Sequence, residues 1–262
     1  MKYVITQGDK YTEERGLFSF VLQYLSNCRY YHSLNENFCI NFDLKNKTSY
    51  YDKNNLTTNN VWEYYFIPEF NLDVVHDNTI FVEWVGEFNF YGYDFDFNNI
   101  NEKTHIKNII NVNLKFNNNI LNKVDVFYEK YKDKKILGVH VRGTDIIIHH
   151  NKFNLSRYVD IINNELINGY DFIFICSDEH NVISELKEIY GDKLINYHTE
   201  TLSNNPNLPL FKQEVDNRYQ MGEDVIIESL ILSKTSHLIK SKSNVSNFSL
   251  LYNPDLQFTE IR

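Results

Sequence analysis

His140 and Arg142 stand two residues apart in the segment 138–145, Gly-Val-His-Val-Arg-Gly-Thr-Asp. Valines fill the alternate places. On a strand, the imidazole and guanidinium would therefore project from one side, and Val139 and Val141 from the other. A guanidinium binds phosphate oxygens through two parallel N–H bonds and keeps its charge when partly desolvated. A cation fixed in this way does most where a diphosphate gains negative charge as a bond breaks. Arg142 is thus the first candidate for gripping an anionic ligand, with His140 beside it.

Other side chains could share such a site. Asp178 and Glu179 follow an apolar run, a place where carboxylates also cap the next helix. Glu228 sits in Val-Ile-Ile-Glu-Ser-Leu-Ile-Leu (225–232), where a carboxylate is costly without partners. An internal salt bridge would satisfy it; so would a guanine base, which offers adjacent N–H donors to a carboxylate. His149 and His150 lie in the loop after the arginine, either as plain surface residues or as imidazoles able to take a proton from a hydroxyl. Asp94 and Asp96 look like a metal-binding Asp-x-Asp pair, but Tyr-Asp-Phe-Asp-Phe-Asn-Asn produces such a pair easily and is read as surface loop. No metal site is expected: no His/Cys/carboxylate set has zinc spacing, and neither a Walker A loop nor a Gly-x-Gly-x-x-Gly turn after a strand is present.

These residues need a scaffold. The second half alternates apolar strands at 135–142, 170–177, 194–195 and 237–240 with helices at 157–167, 180–190 and 224–233. Ser156 would cap the first of those helices, a polar loop fills 200–222, and a Ser/Asn-rich turn fills 241–249. Such alternation implies a parallel sheet covered on both faces, with ligands beyond the carboxyl ends of its strands. Three strands end there in polar clusters: His140/Arg142/Asp145, Asp178/Glu179, and Lys240/Ser241/Lys242/Ser243/Asn244. The first half reads as strands at 2–6, 38–42 and 79–84, with a helix at 16–31. Phe116, Ile120, Val124 and Phe127 recur at helical spacing, which predicts one helix within 105–131. The boundary between halves falls near 133, in the charged run 132–135, dividing the chain into 1–133 and 134–262.

The 262 residues suit one large domain or two small ones, and 42% hydrophobic with 23% charged residues is enough for a sizeable core. A net charge of −9 and a pI near 5.5 disfavour nucleic acid or an anionic membrane as the main partner. The odd, scattered cysteines (Cys28, Cys39, Cys176) fit a reducing compartment, and no apolar run has spanning length, so a cytoplasmic protein is expected.

The segment 138–145 resembles the His-x-Arg motif shared by α1,2-, α1,6- and protein O-fucosyltransferases, with the core α1,6 and nodulation-factor type the nearer match. Ile-Cys-Ser-Asp-Glu (175–179) is similar to the family's second motif. Asn217, Arg218 and Tyr219, with the run from Gly222 through Ser233 to Ser246, are similar to its third. Gly-Leu-Phe (16–18) and Trp-Glu-Tyr-Tyr-Phe (62–66) match its N-terminal half more weakly. The resemblance implies a GT-B fold, two Rossmann-like domains facing across a cleft, with the acceptor on the N-terminal side and the nucleotide sugar on the C-terminal side. It implies inverting transfer of fucose from GDP-fucose to a glycan hydroxyl, with no metal or other cofactor. The protein would then sit peripherally at a membrane where the acceptor is lipid-linked. His140 and Glu228 would meet guanine, Arg142 the β-phosphate, and Ser243 and Asn244 the phosphates, with Asp145, Asp178 and Glu179 supporting the site. The chain departs from the family in four ways. Ile146 replaces a lysine, His150 stands where the α1,6 enzymes place an acid, Gly143 replaces a second arginine, and Gly-Thr-Asp replaces the Arg-Gly-Asp of the α1,2 enzymes. His150 is therefore the candidate base, with Asp145 or Glu179 as substitutes. Transfer from GDP-mannose or a dTDP-deoxysugar, and a carbohydrate- or nucleotide-binding protein without catalysis, stay open as alternatives.

Overall fold

A computed structural model describes residues 2–7, 15–34, 37–44, 48–54, 58–71, 78–83, 95–143, 155–197, 202–203, 205 and 208–261. By its contacts the chain divides into two compact units, one built from 1–121 with 217–223, the other from 122–216 with 224–262. The division falls inside a helix, whereas the line expected at 133 is a charged turn just beyond it.

The first unit holds a parallel sheet of three strands, β1 (Lys2–Gln7) between β2 (Phe38–Asp43) and β4 (Thr79–Glu83). Val4 aligns with Ile40 and Ile80. Helix α1 (Leu17–Ser33) is rich in apolar and aromatic residues, and Leu17, Phe18, Phe20, Val21, Leu22 and Leu25 are buried. Phe42 stacks on Trp62 at 5.2 Å, and Trp62 meets Phe66 at 4.1 Å. Asn60 knits this corner together: its Oδ1 accepts from Leu44 N and Trp62 N while Nδ2 donates to the Phe42 carbonyl.

The helix expected within 105–131 is instead two, α2 (Ile100–Asn113) and α3 (Asn118–Glu129). Between them β5 (Lys115–Phe116) pairs antiparallel with β3 (Phe66–Ile67). The break has a cause at Asn117, whose amide donates to the Glu63 and Tyr64 carbonyls while its own carbonyl accepts from Ile120 N. Phe116 keeps the helical spacing by coincidence and packs on Phe66 at 5.3 Å.

The second unit is built on five parallel strands in the order β10-β9-β6-β7-β8. These are β6 (Ile136–Val141), β7 (Phe172–Ser177), β8 (Leu194–Ile195), β9 (His237–Lys240) and β10 (Phe258–Glu260). Every residue of β6 is buried, as a central parallel strand covered on both faces requires. On one face Leu137, Val139, Val141, Ile173, Ile175 and Ile239 form a core with Tyr158 and Ile162 of α4 (Leu155–Leu166) and Val182 and Leu186 of α5 (His180–Tyr190). On the other, Phe174 meets Phe127 of α3.

Two expectations change here. Ser156 lies inside α4, which already begins at Leu155, so it does not cap that helix. The Ser/Asn-rich stretch 241–249 is mostly helix, α7 (Asn244–Tyr252). Its serines find tertiary partners that local composition does not announce. Ser243 Oγ accepts from Val245 N as the cap, and Ser249 Oγ donates to the Ser229 carbonyl of α6 (Arg218–Ser233). The expected helix at 224–233 starts earlier, at Arg218.

Candidate functional site

From β6 the chain runs outward through β7 to β8, then returns to lay β9 and β10 on the other flank. The direction of winding therefore reverses between β6 and β9, the place where open parallel sheets bind ligands at their carboxyl ends. His140 lies next to the end of β6 and Arg142 directly follows it; Lys240 ends β9, and residues 241–244 follow. The expected alternation on β6 holds, since Val139 and Val141 enter the core and His140 takes the opposite face.

Strand register then sets four titratable residues in one row. Cys176 aligns with His140, His140 with Lys240, and Lys240 with Glu260. His140 is 5% exposed, and its Nδ1 has no hydrogen-bond partner among the described residues. Burial, reinforced by Lys240 and Arg142, pushes its pKa down to about 3, so the ring is neutral and offers one donor and one acceptor nitrogen. A buried ring nitrogen without a partner is a cost that a bound ligand would offset. Lys240, the first residue of the polar cluster after Ile239, is fully buried and donates to Glu260 Oε2 at 2.7 Å. Burial lowers its pKa, and Glu260 opposes that shift. Its charge is answered within the sheet; Lys242, two residues on, is exposed.

Arg142 is half-buried just past the strand. The next residue is clamped. Gly143 N donates to Asp178 Oδ1 at 2.8 Å, and a Cβ at position 143 would lie 2.2 Å from Glu179 Oε1. Neither acid follows the plain capping expectation: Asp178 ties the arginine segment to β7, and Glu179 heads α5 without a side-chain cap bond. Burial raises the Glu179 pKa, with Asp178 and Glu185 adding to the shift.

Glu228 projects from α6 into the same unit and is 8% exposed. The salt bridge considered for it is not found among the described residues. Its Oε2 accepts instead from the Cys176 thiol at 3.2 Å. Burial, with Asp224 and Asp178, raises its pKa to about 8, and the thiol bond opposes that rise only partly. Cys176 is the site residue that sequence reasoning missed; the strand register that sets it beside His140 is the signal that could have found it. Ser243 and Asn244 stand at the first turn of α7, where free backbone N–H groups favour an anion.

Asp145, His149 and His150 lie outside the described residues, as does Asp94. Asp96 is exposed and its Oδ1 accepts from Asn98 N, in keeping with a surface turn. Among the described residues no group of three or more His, Cys, Asp or Glu side chains could hold a metal ion, and no helix is long and apolar enough to cross a membrane.

No protein-family model matches the chain, and no curated protein does. Solved structures do. The α1,6-fucosyltransferase NodZ soaked with GDP-fucose aligns over 97% of this chain and 93% of its own, at 15% identity and a TM-score of 0.59; NodZ has also been solved from Bradyrhizobium. Arabidopsis thaliana FUT1 in complex with GDP aligns over 99% and 70%, at 12% identity and a TM-score of 0.58. POFUT1 in complex with GDP-fucose aligns over 99% and 97%, at 12% identity and a TM-score of 0.55. At these identities the likeness is one of fold: two parallel α/β units with the arrangement of elements found in fucosyltransferases.

Proposed function

We propose that this protein is an inverting glycosyltransferase that transfers fucose from GDP-fucose to a hydroxyl of a glycan acceptor. The observation that carries this is the nearness in sequence of Arg142 to a buried, neutral His140, whose Nδ1 has no partner among the described residues, at the reversal point of the C-terminal sheet. Support comes from neighbours of like fold whose structures hold GDP or GDP-fucose.

In this reading the fold is GT-B-like, with residues 1–133 serving the acceptor and residues 134–262 binding the donor. Arg142 makes a bidentate contact with the β-phosphate and stabilises the charge that builds there as the glycosidic bond breaks. Asp178 fixes the Gly143 N–H and so aims the segment that carries Arg142. Ser243 and Asn244 present the first turn of α7 to the phosphates, and His140 and Glu228 recognise guanine. Asp145 supports the site, and His150 takes the proton of the attacking hydroxyl. No metal or other cofactor takes part. The protein works in the cytoplasm, peripheral to a membrane where its acceptor is lipid-linked.

Ile146 and His150, in place of the family's lysine and acid, favour a second reading: a nucleotide- or carbohydrate-binding protein that does not turn over. Use of another nucleotide sugar, GDP-mannose or a dTDP-deoxysugar, is the nearer enzymatic rival. Incubating the purified protein with GDP-fucose, GDP-mannose and dTDP-rhamnose, and measuring released nucleoside diphosphate, separates all three. The fucose reading expects GDP release from GDP-fucose above the others. Release from another donor alone corrects the sugar, and binding without release from any of them establishes the binder.

A further inference from the structure

Glu228 has an unusual setting for an acid. Its helix presents Ile226, Ile227, Leu230, Ile231 and Leu232 to the core, all essentially without exposure. The only described donor to its carboxyl is the Cys176 thiol. The charged groups acting on it are two further carboxyls, Asp224 on its own helix and Asp178 at the end of β7. On β6, next to Cys176, stands the neutral His140; the nearest cation in that row, Lys240, is bonded to Glu260. No cation among the described residues is bonded to its carboxyl, and a carboxylate buried in this way among like charges is unfavourable where a neutral acid is not.

We propose that Glu228 is stored as the neutral acid and that a guanine-bearing donor binds with release of one proton from it. The inference rests on the guanine-nucleotide reading above. The guanine edge presents two adjacent donors, the ring N1–H and the exocyclic amino N–H. A neutral carboxyl facing that edge has one acceptor oxygen and one O–H, and the O–H opposes a second donor. A carboxylate has an acceptor for each. The Glu228 O–H bond therefore breaks, the proton leaves to solvent, and both oxygens accept from guanine while Cys176 continues to donate to Oε2. The device also selects. Adenine sets a ring acceptor beside its amino group, and uracil flanks its N–H with carbonyl oxygens. Neither provides the paired donors that offset the cost of ionising Glu228.

Calorimetric titration with GDP-fucose in buffers of different ionisation heat tests this directly. Both phosphates of GDP-fucose are esterified, so the ligand does not titrate near neutrality. The wild type is expected to release about one proton per ligand at pH 7, with affinity rising about tenfold per pH unit between pH 6 and 7. Glu228→Gln, which copies the shape of the neutral acid, should release none and bind with an affinity independent of pH. Cys176→Ala removes the donor that eases ionisation, so its affinity profile should shift to higher pH; Cys176→Ser should restore it. Binding by the wild type with no buffer-dependent heat overturns the coupling while leaving guanine recognition intact, as does equal proton release from Glu228→Gln. A protein that binds GDP-fucose at no pH overturns the guanine reading and the coupling with it.

Discussion

At the scale of single residues, Lys240 is bonded to Glu260, and the proposed reaction assigns the diphosphate to Arg142. Replacing Arg142 with Ala should weaken GDP binding by about 2–3 kcal/mol, on the order of 30- to 150-fold. Arg142→Lys should not recover it, because an ammonium has no planar fork; equal titration curves for wild type and Arg142→Ala would remove the phosphate clamp. Glu228 makes a separate statement about stability. Its folded pKa, about 8, lies above that of an ordinary glutamate, so between roughly pH 4.5 and 8 the folded state keeps a proton that the unfolded chain has lost. Its share of stability is full at low pH and declines as pH rises through that window. Glu228→Gln should flatten this decline, with a Tm at pH 8 at or above that of the wild type; a Tm well below it would mean that an ionised, paired carboxylate was lost. His150 takes the proton in the proposed reaction, since residues 146–151 include no acid. His150→Ala should lower kcat by roughly 10²–10⁴ with GDP affinity unchanged. The pH–rate profile should also lose its acidic limb near the histidine value of about 6.5. Wild-type kcat with that limb intact would send the search to Asp145 or Glu179.

At the scale of elements, the C-terminal sheet was legible because a buried parallel strand leaves a strong mark: Val139 and Val141 alternate with His140 and Arg142. The partner of Cys176 was not legible, since it depends on the register between β6 and β7 and on a helix some fifty residues away. Phe116 misled because its spacing from Ile120 fits a helix while Asn117 turns the chain between them. The serines of α7 misled for a related reason: Ser229 and Ser249 satisfy each other across two helices at 3.1 Å, an interaction that no local propensity reports. Helix α6 carries a sharper test. A Cβ at Gly222 would fall 2.1 Å from the hydroxyl of Tyr65, a fully buried ring that donates to the Tyr219 carbonyl. In an open helix Gly→Ala stabilises by up to about 1 kcal/mol, but overpacking costs about 1–3. Here the clash should win, and Gly222→Ala should melt several degrees lower. A variant that melts higher would show that Tyr65 yields.

At the scale of the whole molecule, the proposal has a chain of net charge −9 hold an anionic donor at one sheet end, through the Arg142 guanidinium and the start of α7. No divalent ion has a part in the proposed reaction, so turnover of GDP-fucose should persist in EDTA; loss on chelation with recovery in Mn²⁺ would bring the pair Asp94 and Asp96 back into consideration. The central claim is that the intact protein holds a guanine nucleotide. Thermal unfolding with GDP, UDP, dTDP and CMP in parallel tests it most directly. At a ligand concentration a hundredfold above Kd, binding contributes about 2.7 kcal/mol. GDP is expected to raise Tm by several degrees while the other three leave it near that of the free protein. A rise with UDP or dTDP that equals or exceeds that with GDP, or no rise with GDP at all, would contradict it.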